Sequence, residues 1–112
     1  MRLVVISGPA NTGKLPLAKM LCTNDPTLLL IHRDHIREGL TNSIDEGRVT
    51  LLMGEMATHL LGWGYSVCAC AWNLEHFDRV MWDIIAAATH AKLEWLDVRE
   101  PDVAALIPEE PK

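Results

Sequence analysis

Apolar and polar positions fall in short blocks along the chain, and the length and period of each block separate strands from helices. Residues 2–7 (RLVVIS) are an almost unbroken apolar run ending on Gly8, the pattern of a strand covered on both faces. From residue 14 to 23, Leu15, Ala18, Leu21 and Cys22 recur at helical spacing, with Pro16 in the first turn, where its missing amide hydrogen costs little. Asn24-Asp25-Pro26 is a turn, and residues 27–31 are a second strand that ends in the polar cluster HRDHIR. Between Asp45 and Leu61 the set Val49, Leu52, Met53, Met56, Leu60 and Leu61 keeps helical spacing, and Gly62 with Gly64 stops it. Residues 65–72 are a third strand. Residues 74–89 are a helix whose predicted inner face is Phe77, Val80, Met81, Ile84, Ile85 and Ala88, with Glu75 and Arg79 paired on its surface. Residues 92–98 are a fourth strand, and residues 101–107 at most a short helix before a Pro/Glu tail.

This alternation predicts an α/β fold: a small parallel sheet of about four strands, flanked by helices on both faces and joined by right-handed crossovers. The domain occupies residues 1–100 and the acidic tail residues 101–112, with no internal repeat. Ligands bind at the carboxyl ends of such strands, and residues 8–14, 32–37 and 72–73 all fall there.

Composition narrows the class. With 112 residues, 49% apolar, there is material for one core and none for a second. The longest clean apolar stretch, Leu28 to Ile31, is far too short to span a bilayer, so a soluble cytoplasmic protein with no membrane association is expected. Three cysteines, an odd number, fit reduced thiols; Cys68 and Cys70, two apart in a strand, share one face and read as small buried residues. The five histidines are too scattered for a metal cluster. A net charge of -5 gives no general attraction to nucleic acid, so any such contact must be local, near Lys14, Lys19, Arg33 and Arg37.

The most informative segment is Gly8-Pro9-Ala10-Asn11-Thr12-Gly13-Lys14, which matches the first seven positions of the Walker A pattern between a strand and a helix. Glycines let backbone amides turn toward phosphate oxygens, the helix N-terminus adds a favourable dipole, and Lys14 adds a point charge. The segment from Gly8 to Leu15 is therefore the predicted nucleotide-binding loop, for ATP or another nucleoside triphosphate. Its eighth position is Leu15, where the pattern has a Ser or Thr hydroxyl for magnesium. Leucine cannot ligate a metal, so magnesium would need a water or a carboxylate such as Asp34, and binding and catalysis must be judged separately. Of the four tryptophans, Trp72 is the one expected near the site.

The phosphate loop, HRDHIR, WNLEHFDRVMW and KLEWLDV, in this order, resemble the bacteriophage-type polynucleotide 5′-hydroxyl kinases and the wider group of small P-loop kinases, over about residues 1–100. The resemblance implies a three-layer P-loop NTPase-like fold and transfer of the ATP γ-phosphate to a 5′-hydroxyl. It assigns Asp34 as the base, Lys14 to the transferring phosphoryl group, and Arg37 to substrate phosphate, with Arg33 and Asn73 as further substrate contacts. Alternatively Asp34 caps a helix entered at His35 and Arg37 is its solvated partner. The chain departs from the family pattern at Ala71, where an aspartate is expected, and lacks the arginine-rich lid after the fourth strand.

Two functions fit. One is an ATP-dependent kinase acting on a nucleic-acid 5′ end or a smaller hydroxyl compound. The other is a catalytically decayed P-loop domain working as an interaction or regulatory module, through a protein partner or as a homo-oligomer. Compact relatives of this kind suggest a phage origin.

Overall fold

The computed structural model describes residues 1–39 and 45–108. Four strands, β1 (Arg2–Ser7), β2 (Leu28–His32), β3 (Ser66–Cys70) and β4 (Lys92–Asp97), form one sheet in the order β2-β3-β1-β4, all pairs parallel. Between them run α1 (Lys14–Asn24), α2 (Arg33–Gly39), α3 (Glu46–Gly62) and α4 (His76–Thr89), with a single turn α5 (Pro101–Ala104) after β4. The α/β architecture predicted from block lengths is the one observed.

The alternation of side chains along β1 divides the interior in two. Leu3 and Val5 face α3 and α4, where Met53, Ala57, Leu61, Trp82 and Ile85 complete one core. Val4 and Ile6 face α1 and α5, packing with Leu17, Ala18, Cys68, Cys70 and Val103. Cys68 and Cys70 are buried on one face, as their spacing predicts, and desolvation pushes both thiols up, Cys70 to about 11. All three cysteines are free. Among the described residues no helix is long and apolar enough to cross a membrane.

Two predicted helix faces are corrected. In α4 the buried residues are Asp78, Trp82, Ile85 and Ala86, while Phe77, Val80 and Ile84 are exposed. The helix carries apolar residues around more than half its circumference, so periodicity alone leaves its rotation open. Its polar partners decide: the Trp82 indole donates to Asn73 Oδ1 at 3.0 Å, and Asp78 closes a capping box with Glu75. Arg79 consequently lies over the Trp95 ring, 4.9 Å from its centroid, rather than pairing with Glu75. In α3, Met56 is exposed, and the inner stripe is Val49, Met53, Gly54, Ala57 and Leu61. Gly54 is there because α4 crosses closely: a Cβ at this position would sit 2.8 Å from Met81 Sδ.

Candidate functional site

The carboxyl ends of β1, β2 and β3 open onto one cavity of about 880 Å³. Because β3 lies between β2 and β1, the segment leaving it, Ala71 to Asn73, separates the loop after β1 from the helix after β2. The cavity thus has two sides, the phosphate-type loop and α2, with residues 71–73 between them.

On the loop side, three residues adopt left-handed backbone: Gly8 (φ 152°), Asn11 (φ 60°) and Gly13 (φ 89°). Thr12 Oγ1 donates to Pro9 O at 2.6 Å, and Lys14 Nζ donates to Gly8 O at 2.5 Å and Pro9 O at 3.2 Å. The amine thereby bridges the loop it emerges from. Gly13 caps α1 with no side-chain acceptor, so the helix meets the cavity without a competing carboxylate at its cap. Burial lowers the Lys14 pKa, while Cys70 and Asp34 act in the opposite sense. The loop is packed from below: a Cβ on Gly8 would overlap Val98 Cγ2, and one on Gly13 would lie 2.8 Å from Ile107 Cγ2.

On the other side, Arg33 begins α2, so Asp34 lies in the first turn rather than at the cap. Arg33 is largely covered and fully engaged: Nη2 meets Glu46 Oε2 at 2.6 Å, and Nη1 donates to Thr50 Oγ1 at 2.6 Å. Arg37 Nη2 meets the same Glu46 oxygen at 2.7 Å, and its Nη1 reaches Asp34 Oδ1 at 3.4 Å, while its buried Nε has no partner. Arg33 first and Arg37 second hold the Glu46 carboxyl below its ordinary range. Asp34 lines the cavity and is mostly exposed. His32, at the end of β2, stands edge-on to His35 with ring centroids 5.1 Å apart. Its Nδ1 is buried without a partner, and desolvation lowers its pKa, more than Asp34 raises it.

Asn73 lines the cavity, but the residue is only 4% exposed and its side chain is spent internally. Nδ2 donates to Ile6 O at 2.9 Å and Oδ1 accepts from Trp82. With φ at 52°, it turns the chain so that Gly8 N donates to Trp72 O at 3.0 Å, tying the loop to the end of β3. The structure therefore brings residues 10–15, 33, 34, 37 and 73 to one cavity together with Trp72, leaves Gly8 and Pro9 behind its lining, and adds Glu46 and Thr50.

The protein offers magnesium no ligand where the loop pattern calls for one. Leu15 and Ala71 both line the cavity without an oxygen-bearing side chain, Thr12 is turned to Pro9, and Asp34 and Glu46 are engaged by arginines. Among the described residues no three His, Cys, Asp or Glu side chains converge as metal ligands. The described residues do not form a resident magnesium site.

No protein-family model and no curated protein matches the chain. Solved structures do. A protein from Chloroflexus aurantiacus assigned as a kinase superposes with a TM-score of 0.74 at 20% identity, over 86% of this chain and 58% of that one. The Mycobacterium tuberculosis APS kinase CysC, in complex with AMPPNP and APS, gives 0.73 at 18% identity, over 96% and 69%. A chain of the Pnkp1/Rnl/Hen1 complex gives 0.68 at 18%, over 99% and 40%. The fold is that of the P-loop kinases, and the chain spans little more than half the length of the first of these structures and less than half of the last.

Proposed function

We propose that this chain binds a nucleoside triphosphate, ATP in the first instance, on residues 8–15, and transfers its terminal phosphoryl group to a hydroxyl held on the α2 side. The observation that carries this reading is the two-sided cavity: a loop with Lys14 on one side, and a carboxylate with two guanidiniums on the other. A neighbour of the same fold, the APS kinase, was solved with AMPPNP and APS, and another belongs to the Pnkp1/Rnl/Hen1 complex. Together with the motif order of the sequence, this favours a nucleic-acid 5′-hydroxyl as the acceptor.

Phosphoryl transfer needs positioning and charge neutralisation more than covalent chemistry. The loop amides and the α1 N-terminus receive the phosphates, and Lys14 exchanges its internal carbonyl partners for phosphoryl oxygens. The acceptor oxygen attacks the terminal phosphorus, the bond to the bridging oxygen breaks, the nucleoside diphosphate leaves, and the acceptor proton passes to the Asp34 carboxylate. Arg37 binds the anionic part of the acceptor, and Arg33 joins it where the anion displaces the Glu46 carboxylate. Asn73 acts through the chain, by fixing the ends of β1 and β3 and the rotation of α4.

Calorimetric titration with ATP, with and without magnesium, tests the first half. Binding that Lys14→Ala weakens supports the reading, and absence of binding by the folded protein sinks it and leaves the decayed domain. Transfer of labelled phosphate to a 5′-hydroxyl oligonucleotide, abolished by Asp34→Asn with the fold intact, tests the second half.

A further inference from the structure

Trp72 is 44% exposed and Phe77 56% exposed, yet both line the cavity. Large aromatic surface left open in a cleft has a use other than the core, since Trp82 already fills the core beside it. The position of Trp72 is fixed from two sides. Its own carbonyl accepts from Gly8 N, and the next residue, Asn73, is anchored to Ile6 and Trp82. It follows β3, between the phosphate loop and the arginine helix.

We propose that Trp72, with Phe77 also lining the cavity, is a stacking platform for the nucleobase of the acceptor. This deepens the kinase reading and rests on it. Lys14 places the terminal phosphates at the loop; the base of the donor lies at the far end of the triphosphate and its sugar, so a flat ring that follows β3, between the loop and α2, belongs to the acceptor. The remaining chemistry of that side matches. Arg33 and Arg37 suit a phosphate, and an apolar face suits a base, so the pair recognises a nucleotide unit rather than an uncharged sugar. Stacking is tolerant of base identity, because every base presents a π face. Trp72 therefore selects for a base as such rather than for a sequence.

The test compares deoxyadenosine 3′-phosphate, which carries a free 5′-hydroxyl, with its abasic tetrahydrofuran 3′-phosphate analogue, by calorimetry on the full chain. Wild-type protein is expected to bind the nucleotide more tightly than the abasic analogue. Trp72→Ala should weaken the nucleotide about tenfold, leave the abasic analogue and ATP unchanged, and be rescued to within a few fold by Trp72→Phe. Near-ultraviolet circular dichroism establishes that the variants keep their packing. Equal nucleotide affinity in wild type and Trp72→Ala would overturn the proposal, as would equal losses for the nucleotide and the abasic analogue, which would mean a sugar-binding face. A selective loss of ATP would overturn it too, by assigning the platform to the donor. If ATP fails to bind while Trp72-dependent base binding persists, the kinase reading falls and the platform stands.

Discussion

The two sides of the cavity are held by different forces. The loop side is seated on the core: Val98 and Ile107 fill the space beneath Gly8 and Gly13, and Ile6 O is tied to Asn73. The α2 side buries none of its own residues completely; Ile36 packs partly against the core, and polar bonds join it to α3, one Glu46 oxygen shared between two arginines and one bond from Arg33 to Thr50. Packing in a dry core fixes geometry, whereas partly exposed ion pairs are weak and screened by salt. The loop side is therefore rigid and the α2 side adjustable; under the proposed kinase reading, this suits a site that must accept a second substrate before closing the reacting geometry.

The strongest way to break this contrast is Gly8→Ala. The new methyl must displace the β-branched Val98 and hold a left-handed backbone, so a loss of about 3 kcal/mol in urea unfolding is expected. A loss below about 1 kcal/mol would show that the loop is not seated on the core as described. Next, Lys14→Ala should weaken ATP by about 10- to 100-fold, the range for losing a charge-assisted contact, while barely moving the melting temperature. Glu46→Ala should cost only about 0.5–1 kcal/mol of stability. By freeing both guanidiniums it should raise the affinity for inorganic phosphate about fivefold; unchanged phosphate affinity would mean that Glu46 does not compete for them. The smallest effect concerns pH. Burial depresses the His32 pKa in the folded state, so the unfolded chain binds the proton more readily. Its contribution is present above the ordinary histidine value and lost as pH falls below it. Urea midpoints should decline from pH 7.5 to 5.5, and His32→Asn should flatten part of that decline.

How far the sequence could be read depended on whether a feature was local. The strands announced themselves because a parallel sheet covered on both faces leaves unbroken apolar runs, and the loop did because its glycines, lysine and flanking elements are contiguous. The rotation of α4 was not legible, since Phe77, Val80 and Ile84 make as good a stripe as Trp82, Ile85 and Ala86 until the indole finds Asn73. Glu46 was not legible either. Thirteen positions separate it from Arg33, and only the crossing of α2 and α3 makes it the counter-ion. Asn73 was placed at the site by position, but that its amide is consumed by Ile6 and Trp82 depends on the sheet order.

The seating of the loop on Val98 and Ile107 also bears on when the site comes into being. During synthesis the glycines leave the ribosome some ninety residues before the side chains that fill beneath them, an interval of roughly 5–20 seconds at ordinary translation rates. Of the two neighbours of β1, β3 follows partway through that interval and β4 is complete only at Asp97. A nascent chain halted before residue 98 is therefore expected to retain no nucleotide, however complete its Walker segment, and under the proposed reading ligand capture is a late event in the making of this protein.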